Sequence, residues 1–287
     1  MIDRILTYGR MIKFSHSIFA LPFALSGVLL ASMRADITTG KVAWIIVAMV
    51  GARSAAMGFN RWADRKMDAE NPRTANRELP TGQISSAAVL AFIGVSSAVL
   101  VLAASRLNPL CFALSPVALG IVFFYSLTKR FTWVTQFFLG LALSVAPIGA
   151  WIAVTGSLDP KIFALGGAVL LWVAGFDIIY ATQDADFDAQ FGVFSIPQKF
   201  GITKALWIAR VLHVVAFGAM LSVGHVFGLG GVYYAGVIGI GVAANRQQKT
   251  TEDYFLGGRR LAWWAVGISI LATSFSSAAL VGGTGQG

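Results

Sequence analysis

Charge is scarce in this chain. Asp, Glu, Lys and Arg together make up 12% of its 287 residues, against roughly a quarter in soluble domains. There is one cysteine, Cys111, so no disulfide framework forms within the chain and no thiolate cluster holds a metal. The three histidines, His16, His213 and His225, share no metal-ligand spacing. His16 is placed at a cavity mouth, and the other two read as polar helix contacts. No nucleophile–base pair and no phosphate-cradling glycine loop stands out.

Apolar residues dominate instead, at 56% with a mean hydropathy of +0.72. A hydrocarbon core about 30 Å thick takes roughly 20 apolar residues per helix. Nine spans are expected, near 16–33, 41–60, 85–105, 109–126, 132–154, 162–182, 205–223, 229–244 and 262–282. The 31 glycines suit close packing of membrane helices. The first apolar run lacks a small-residue cleavage site and reads as a retained helix. The expected fold is therefore all-α: a multi-span transmembrane helical bundle of about nine helices around a central cavity, in two pseudo-repeats of four.

The net charge is +9. In a membrane protein this excess reads as topology, with basic residues gathered on the cytoplasmic side, and nucleic acid is not implicated. Arg4, Arg10 and Lys13 precede the first span. Arg61, Arg65, Lys66, Arg73 and Arg77 follow the second. Lys129 and Arg130 follow the fourth, and Lys199 and Lys204 the sixth. The opposite connections hold only Arg34, Lys41, Arg106 and Lys161. The N-terminus and the polar loops are accordingly expected on the cytoplasmic face.

Eight of the thirteen acids fall in two clusters. The first holds Asp64, Asp68, Glu70 and Glu78; the second holds Asp177, Asp184, Asp186 and Asp188. Each contains a D-x-x-x-D step closing an even-numbered span, which gives the chain a weak two-fold repetition. Carboxylates at a membrane edge are costly and signal function. Residues four apart share a helix face, so Asn60, Asp64 and Asp68 are expected in one oxygen-bearing stripe, and Asp177, Asp184 and Asp188 in another, with Tyr180 between. Hard oxygen donors without His or Cys suit Mg²⁺, which takes one or two protein carboxylates and completes its shell with water and phosphate. Either cluster alone is also explained as a solvated helix end pairing with Arg61, Arg65 and Lys66. Two matched clusters on one face argue for a metal–diphosphate site. The cations available to a diphosphate are Lys13, Arg53, Arg61, Arg73, Arg77, Lys129 and Arg130. Arg53 is the most specific of these, since it lies inside a span and needs a partner.

Residues 1 to about 235 resemble the UbiA-type intramembrane aromatic prenyltransferases. The family's N-D-x-x-D-x-x-x-D motif is matched by Asn60, Asp64 and Asp68, and its R-T-x-N-R-x-L-P-x-G stretch by Arg73 through Gly82. The second motif, D-x-x-Y-A-x-x-D-x-x-x-D, is matched by Asp177, Tyr180, Ala181, Asp184 and Asp188. Arg61 departs from the family's acid. In this the chain looks like a subgroup near the 4-hydroxybenzoate polyprenyltransferases, some of which are thought to serve the futalosine route to menaquinone. The resemblance implies that Asn60, Asp64, Asp68, Asp184 and Asp188 hold Mg²⁺ ions clamping a polyprenyl diphosphate. It implies ionisation of the allylic C–O bond, and attack by an aromatic acceptor near Asp177 and Tyr180. It further implies an apolar tail running into the lipid bilayer of a bacterial inner membrane. A dihydroxynaphthoate or a porphyrin is the alternative acceptor.

From about residue 239 the chain departs from that pattern. D-Y-F-L-G-G-R over 253–259 resembles the N-terminal piece of a sodium:solute symporter. The expected division is a prenyltransferase unit over 1–238 and a fused segment over 239–287 with one apolar helix. The alternative is an ordinary amphipathic loop with topogenic arginines. Transport is not expected, because the paired repeat of such carriers is missing. An inactive fusion product is the remaining alternative.

Overall fold

The computed structural model describes residues 2–12 and 20–246. Its helices are α1 (Ile2–Met11), α2 (Leu21–Ala31), α3 (Thr39–Glu70), α4 (Ser86–Leu107), α5 (Pro109–Thr128), α6 (Thr135–Thr155), α7 (Ile162–Ala181), α8 (Ala185–Phe191), α9 (Ile196–Phe200), α10 (Ile202–Phe227) and α11 (Gly231–Arg246). No strand occurs among the described residues. Six helices, counting α7 through α8 as one, are long and apolar enough to cross a membrane, and α2 is a shorter apolar helix. Eight of the nine expected spans coincide with helices. The ninth, 262–282, lies outside the described residues, as do Lys13, His16 and most of the symporter-like segment. α11 runs across the expected boundary at 238 without a break.

The helix ends follow local chemistry. Thr38 and Ser85 accept hydrogen bonds from the N–H groups of Lys41 and Ala88, both at 3.2 Å, capping the starts of α3 and α4. Asn108 closes α4, opens α5 by accepting from the Cys111 N–H at 2.8 Å, and donates to the Ile152 carbonyl at 2.9 Å. One side chain thus turns the chain and ties that turn to α6. Gly156, Gly192 and Gly228 end α6, α8 and α10 in the left-handed region, where a Cβ is unfavourable.

α3 differs from expectation. The apolar run suggests a span ending near 60 and a polar loop from 61. The helix instead continues to Glu70, and the loop starts at Asn71. No breaker intervenes before Pro72, whose ring disfavours helical backbone at the preceding residue. At 32 residues and 1.5 Å per residue, α3 is about 48 Å long and outreaches the hydrocarbon core.

Small residues set the packing. A Cβ on Gly27 of α2 would collide with the Pro147 carbonyl oxygen of α6, and one on Gly140 of α6 with the Leu170 carbonyl oxygen of α7. Gly51 also brings α3 close to α4, where a Cβ would stand 2.9 Å from the Leu100 nitrogen. α3 packs along α4 in the first half as α7 packs along α10 in the second. The outer surface is apolar: Val95, Val117, Val211 and Val214 each expose more than half their area, as lipid-facing side chains do. The largest apolar cluster, around Trp151, Ile162, Leu165 and Val223, fills the end of the bundle away from the acidic loops.

Gly27→Ala should therefore destabilise the protein by about 1–3 kcal/mol, the usual cost of overpacking. Gly94→Ala, where nothing lies within 4 Å, should be neutral or slightly stabilising. Thermal unfolding in detergent compares the two, and equal midpoints would refute the close α2–α6 crossing.

Candidate active site

The first acidic stripe forms on the last turns of α3. Asn60 donates to Asp64 Oδ2 at 2.9 Å and lies 3.4 Å from Ser126 Oγ on α5. Lys129 Nζ donates to the same Asp64 oxygen at 2.6 Å, and Arg130 approaches Oδ1 at 3.6 Å. Arg130 also donates to the Ala63 carbonyl at 2.6 Å. Arg77, from the loop after α3, donates to Asp68 Oδ1 at 2.6 Å. Asp64 and Asp68 are 2% and 7% exposed. At such burial, carboxylates persist as anions only when paired.

The second cluster is not one continuous stripe. α7 ends at Ala181, a 3₁₀ turn covers Thr182–Asp184, and α8 begins at Ala185. The tighter turn separates the surroundings of Asp184 and Asp188. Asp184 faces the loop after α3: Arg73 Nε donates to Oδ1 at 2.9 Å, Arg73 Nη2 binds Oδ2, and Asn71 Nδ2 reaches Oδ1 at 3.3 Å. This hydrogen-bonded pairing raises the Arg73 guanidinium above its ordinary pKa. Arg73 also donates to the Tyr180 hydroxyl at 3.1 Å and lies 5.5 Å from the centre of that ring. Asp188, 7% exposed, accepts from Ser195 at 2.9 Å.

The two clusters are therefore tied together. The loop that follows the first stripe holds the acid of the second. Lys129 pairs with Asp64. Its backbone carbonyl accepts from the Phe194 N–H at 2.8 Å, which fixes the segment carrying Ser195.

Two predicted residues stand elsewhere. Arg61 points to the N-terminal side, where its Nε donates to the Met11 carbonyl of α1 at 3.2 Å. Arg53 lies two turns before Asn60 and lines an apolar cavity of about 430 Å³ with Ala56, Tyr125, Ser144 and Ile148. Its Nε is buried without a hydrogen-bond partner among the described residues. Lys13 lies outside the described residues.

Sequence reasoning missed Asn71, Ser126 and Ser195. Asn71 carried a signal as the residue between an acidic helix end and Pro72. Ser195 carried one as the first residue of an S-x-x-Q helix start. Neither pattern revealed the distant acid that the side chain meets.

Among the described residues no three His, Cys, Asp or Glu side chains converge to hold an ion alone. Yet Asp64 Oδ1 and Asp68 Oδ2 are buried with no hydrogen-bond partner there. Two carboxylate oxygens without a hydrogen bond on one helix face, that of Asp64 approached only by Arg130 at 3.6 Å, with Asn60 beside them, fit a hard divalent cation that draws its remaining ligands from water and phosphate.

The UbiA prenyltransferase family profile matches residues 20–266. The 4-hydroxybenzoate octaprenyltransferase of Vibrio atlanticus is 35% identical over 189 residues, spanning 66% of this chain and 66% of that protein. The enzyme of the same name from Vibrio campbellii is 36% identical over 203 residues, spanning 68% and 70%. These matches thus span about two thirds of the relatives' own length. Among solved structures, the apo form of a UbiA homolog from Aeropyrum pernix K1 superposes with a TM-score of 0.81 at 32% identity, covering 91% of this chain and 98% of that one. A UbiA homolog from Archaeoglobus fulgidus bound to GPP and Mg²⁺ shares the fold, with a TM-score of 0.71 at 18% identity over 95% and 99% of the two chains.

The Lys129–Asp64 pair yields a stability prediction. Lys129→Met should cost about 3 kcal/mol, because it takes the nearest cation from a buried carboxylate. Asp64→Asn/Lys129→Met should recover most of that loss. A double variant no more stable than the single, by thermal unfolding, would show that the pair is not coupled.

Proposed function

Because the chain belongs to the UbiA prenyltransferase family and is a membrane-embedded prenyltransferase, we propose that it transfers a polyprenyl group from an allylic diphosphate to a 4-hydroxybenzoate-like aromatic acid, a step of quinone biosynthesis. The observation that carries this reading is the meeting of two acid clusters, with cations interleaved, one helical turn above a deep apolar cavity. Asn60 lies one turn beyond Ala56, which lines that cavity.

Asn60, Asp64, Asp68, Asp184 and Asp188 are the residues that would hold Mg²⁺. When bound, the metal supplies charge neutralisation for a diphosphate leaving group. Arg73, Arg77, Lys129 and Arg130 would then turn from their carboxylates to the diphosphate oxygens. The allylic C–O bond breaks with its electron pair leaving on the diphosphate, and these cations stabilise the charge that develops there. The allylic cation is met by the ring carbon ortho to the acceptor's phenol, which then loses its proton. The Tyr180 ring, already facing one cation in Arg73, suits a position beside the carbocation. Asp177 would stand on the same wall. Exclusion of water protects the cation from hydrolysis, and the membrane-embedded cavity supports that requirement.

Arg53 favours an acceptor that carries a carboxylate. A half-buried guanidinium whose buried Nε has no hydrogen-bond partner among the described residues gains most from an anion that arrives with the substrate. The relatives' names point to the same class, 4-hydroxybenzoate. The distribution of basic residues supports a cytoplasmic position for both acidic clusters in a bacterial inner membrane.

Membranes containing the protein, given geranyl diphosphate, 4-hydroxybenzoate and Mg²⁺, should yield a C-prenylated acid, and EDTA should abolish it. Asp64→Asn should slow the reaction at least about 100-fold, as loss of one charge-stabilising group does. Arg53→Met should raise the acceptor KM about ten-fold or more, the worth of a charged hydrogen bond, with a smaller effect on the diphosphate KM. Product formed with a dihydroxynaphthoate and not with 4-hydroxybenzoate would replace the acceptor. Undiminished transfer in EDTA would overturn the metal reading.

A further inference from the structure

Ser195 stands at the only hydrogen bond drawn to Asp188 side-chain oxygens among the described residues. Its hydroxyl lies 2.9 Å from Oδ2, and both residues are buried, at 3% and 7% exposure. The Ser195 oxygen is committed on its other side. It caps α9 by accepting from the Gln198 N–H at 3.3 Å. A hydroxyl has one proton and two lone pairs. With a lone pair taken by the cap, the proton is directed at Asp188, which as a carboxylate only accepts. The backbone around Ser195 is pinned as well: Val193 N–H donates to the Asp188 carbonyl at 3.0 Å, and Phe194 N–H to the Lys129 carbonyl at 2.8 Å. The hydroxyl therefore sits in one place, fixed by α8 on one side and the end of α5 on the other.

We propose that Ser195 is a positioning residue for Asp188. It occupies one carboxylate oxygen, sets the plane of the group, and leaves Oδ1 presented to the metal–diphosphate. Asp64, Asp68 and Asp184 are each paired with a cation, Lys129, Arg77 and Arg73 respectively, that a diphosphate would draw away, leaving Asn60 on Asp64 and Asn71 on Asp184 as neutral donors. Ser195 is neutral and buried, so Asp188 keeps its orientation when the diphosphate arrives. Outer partners of this kind commonly hold ten-fold or more of metal affinity. The inference rests on the metal-binding reading above.

The test is Mn²⁺ binding by electron paramagnetic resonance, on the full chain in detergent with geranyl thiolodiphosphate. Ser195→Gly removes the hydroxyl while keeping most of the helix-capping preference, and should weaken Mn²⁺ binding about ten-fold. Ser195→Thr, which retains donor and cap, should match the parent. In an Asp188→Asn background Ser195→Gly should add nothing, since interacting residues are not additive. Parent-like binding by Ser195→Gly, or an equal further loss on top of Asp188→Asn, would overturn the proposal. If Ser195→Gly does not fold, Ser195→Cys, a weak donor, should bind less tightly than Ser195→Thr, and equality would count against the proposal. No Mn²⁺ binding by the parent chain would instead sink the metal reading itself.

Discussion

A carboxylate buried in a membrane protein must be paired, and that requirement organises one end of this bundle. Asp64 is almost fully enclosed, and Lys129 answers it from the end of α5. The backbone carbonyl of the same lysine accepts from the Phe194 N–H, so one position at the end of α5 is bonded to both halves. The loop after α3 repeats the device, with Arg77 turned back to Asp68 and Arg73 turned across to Asp184. The second half holds Asp184 with groups that the first half carries, Arg73 and Asn71. The charge pairing that stabilises the fold is also what gathers the site.

Much of this was legible in the sequence because it is local. Four-residue spacing put Asn60, Asp64 and Asp68 on one face, and α3 carries them so. Apolar runs of bilayer length located eight helices among the described residues, six of them long and apolar enough to cross a membrane. The legible part ended where the cause is distant or subtle. The extension of α3 to Glu70 depends on a missing breaker, which hydropathy does not register. The 3₁₀ turn at Thr182–Asp184 tightens the backbone in a stretch whose spacing reads as plain helix. Asn71 meets Asp184 across 113 positions and Asn60 meets Ser126 across 66, and no periodicity reports such contacts.

Arg61 shows how a single position separates pattern from geometry. In the sequence it sits beside Asn60 and reads as one more cation for an anionic substrate. On α3 adjacent residues diverge by about 100°, and Arg61 is turned to the Met11 carbonyl. There it secures α1 against the bundle. The position at which the chain departs from its family's motif is thus one the structure uses to hold the N-terminal helix, while Asn60, Asp64 and Asp68 keep the face that matters.

The unbroken length of α3 has one more consequence. Arg53, Asn60 and Asp64 lie on the same rod, so their separations are set by helical rise and by nothing softer. Arg53 and Asn60 are about 10 Å apart along the axis, and Asp64 lies about 6 Å further on. A prenyl donor and its acceptor must meet at one depth, and this rod fixes the spacing of the side chains along it. Its calibration tolerates substitution but not insertion: one added residue between 53 and 60 would turn every later side chain by about 100°. Variation in length among related chains should therefore fall in the loops, with this stretch of α3 held to a constant count.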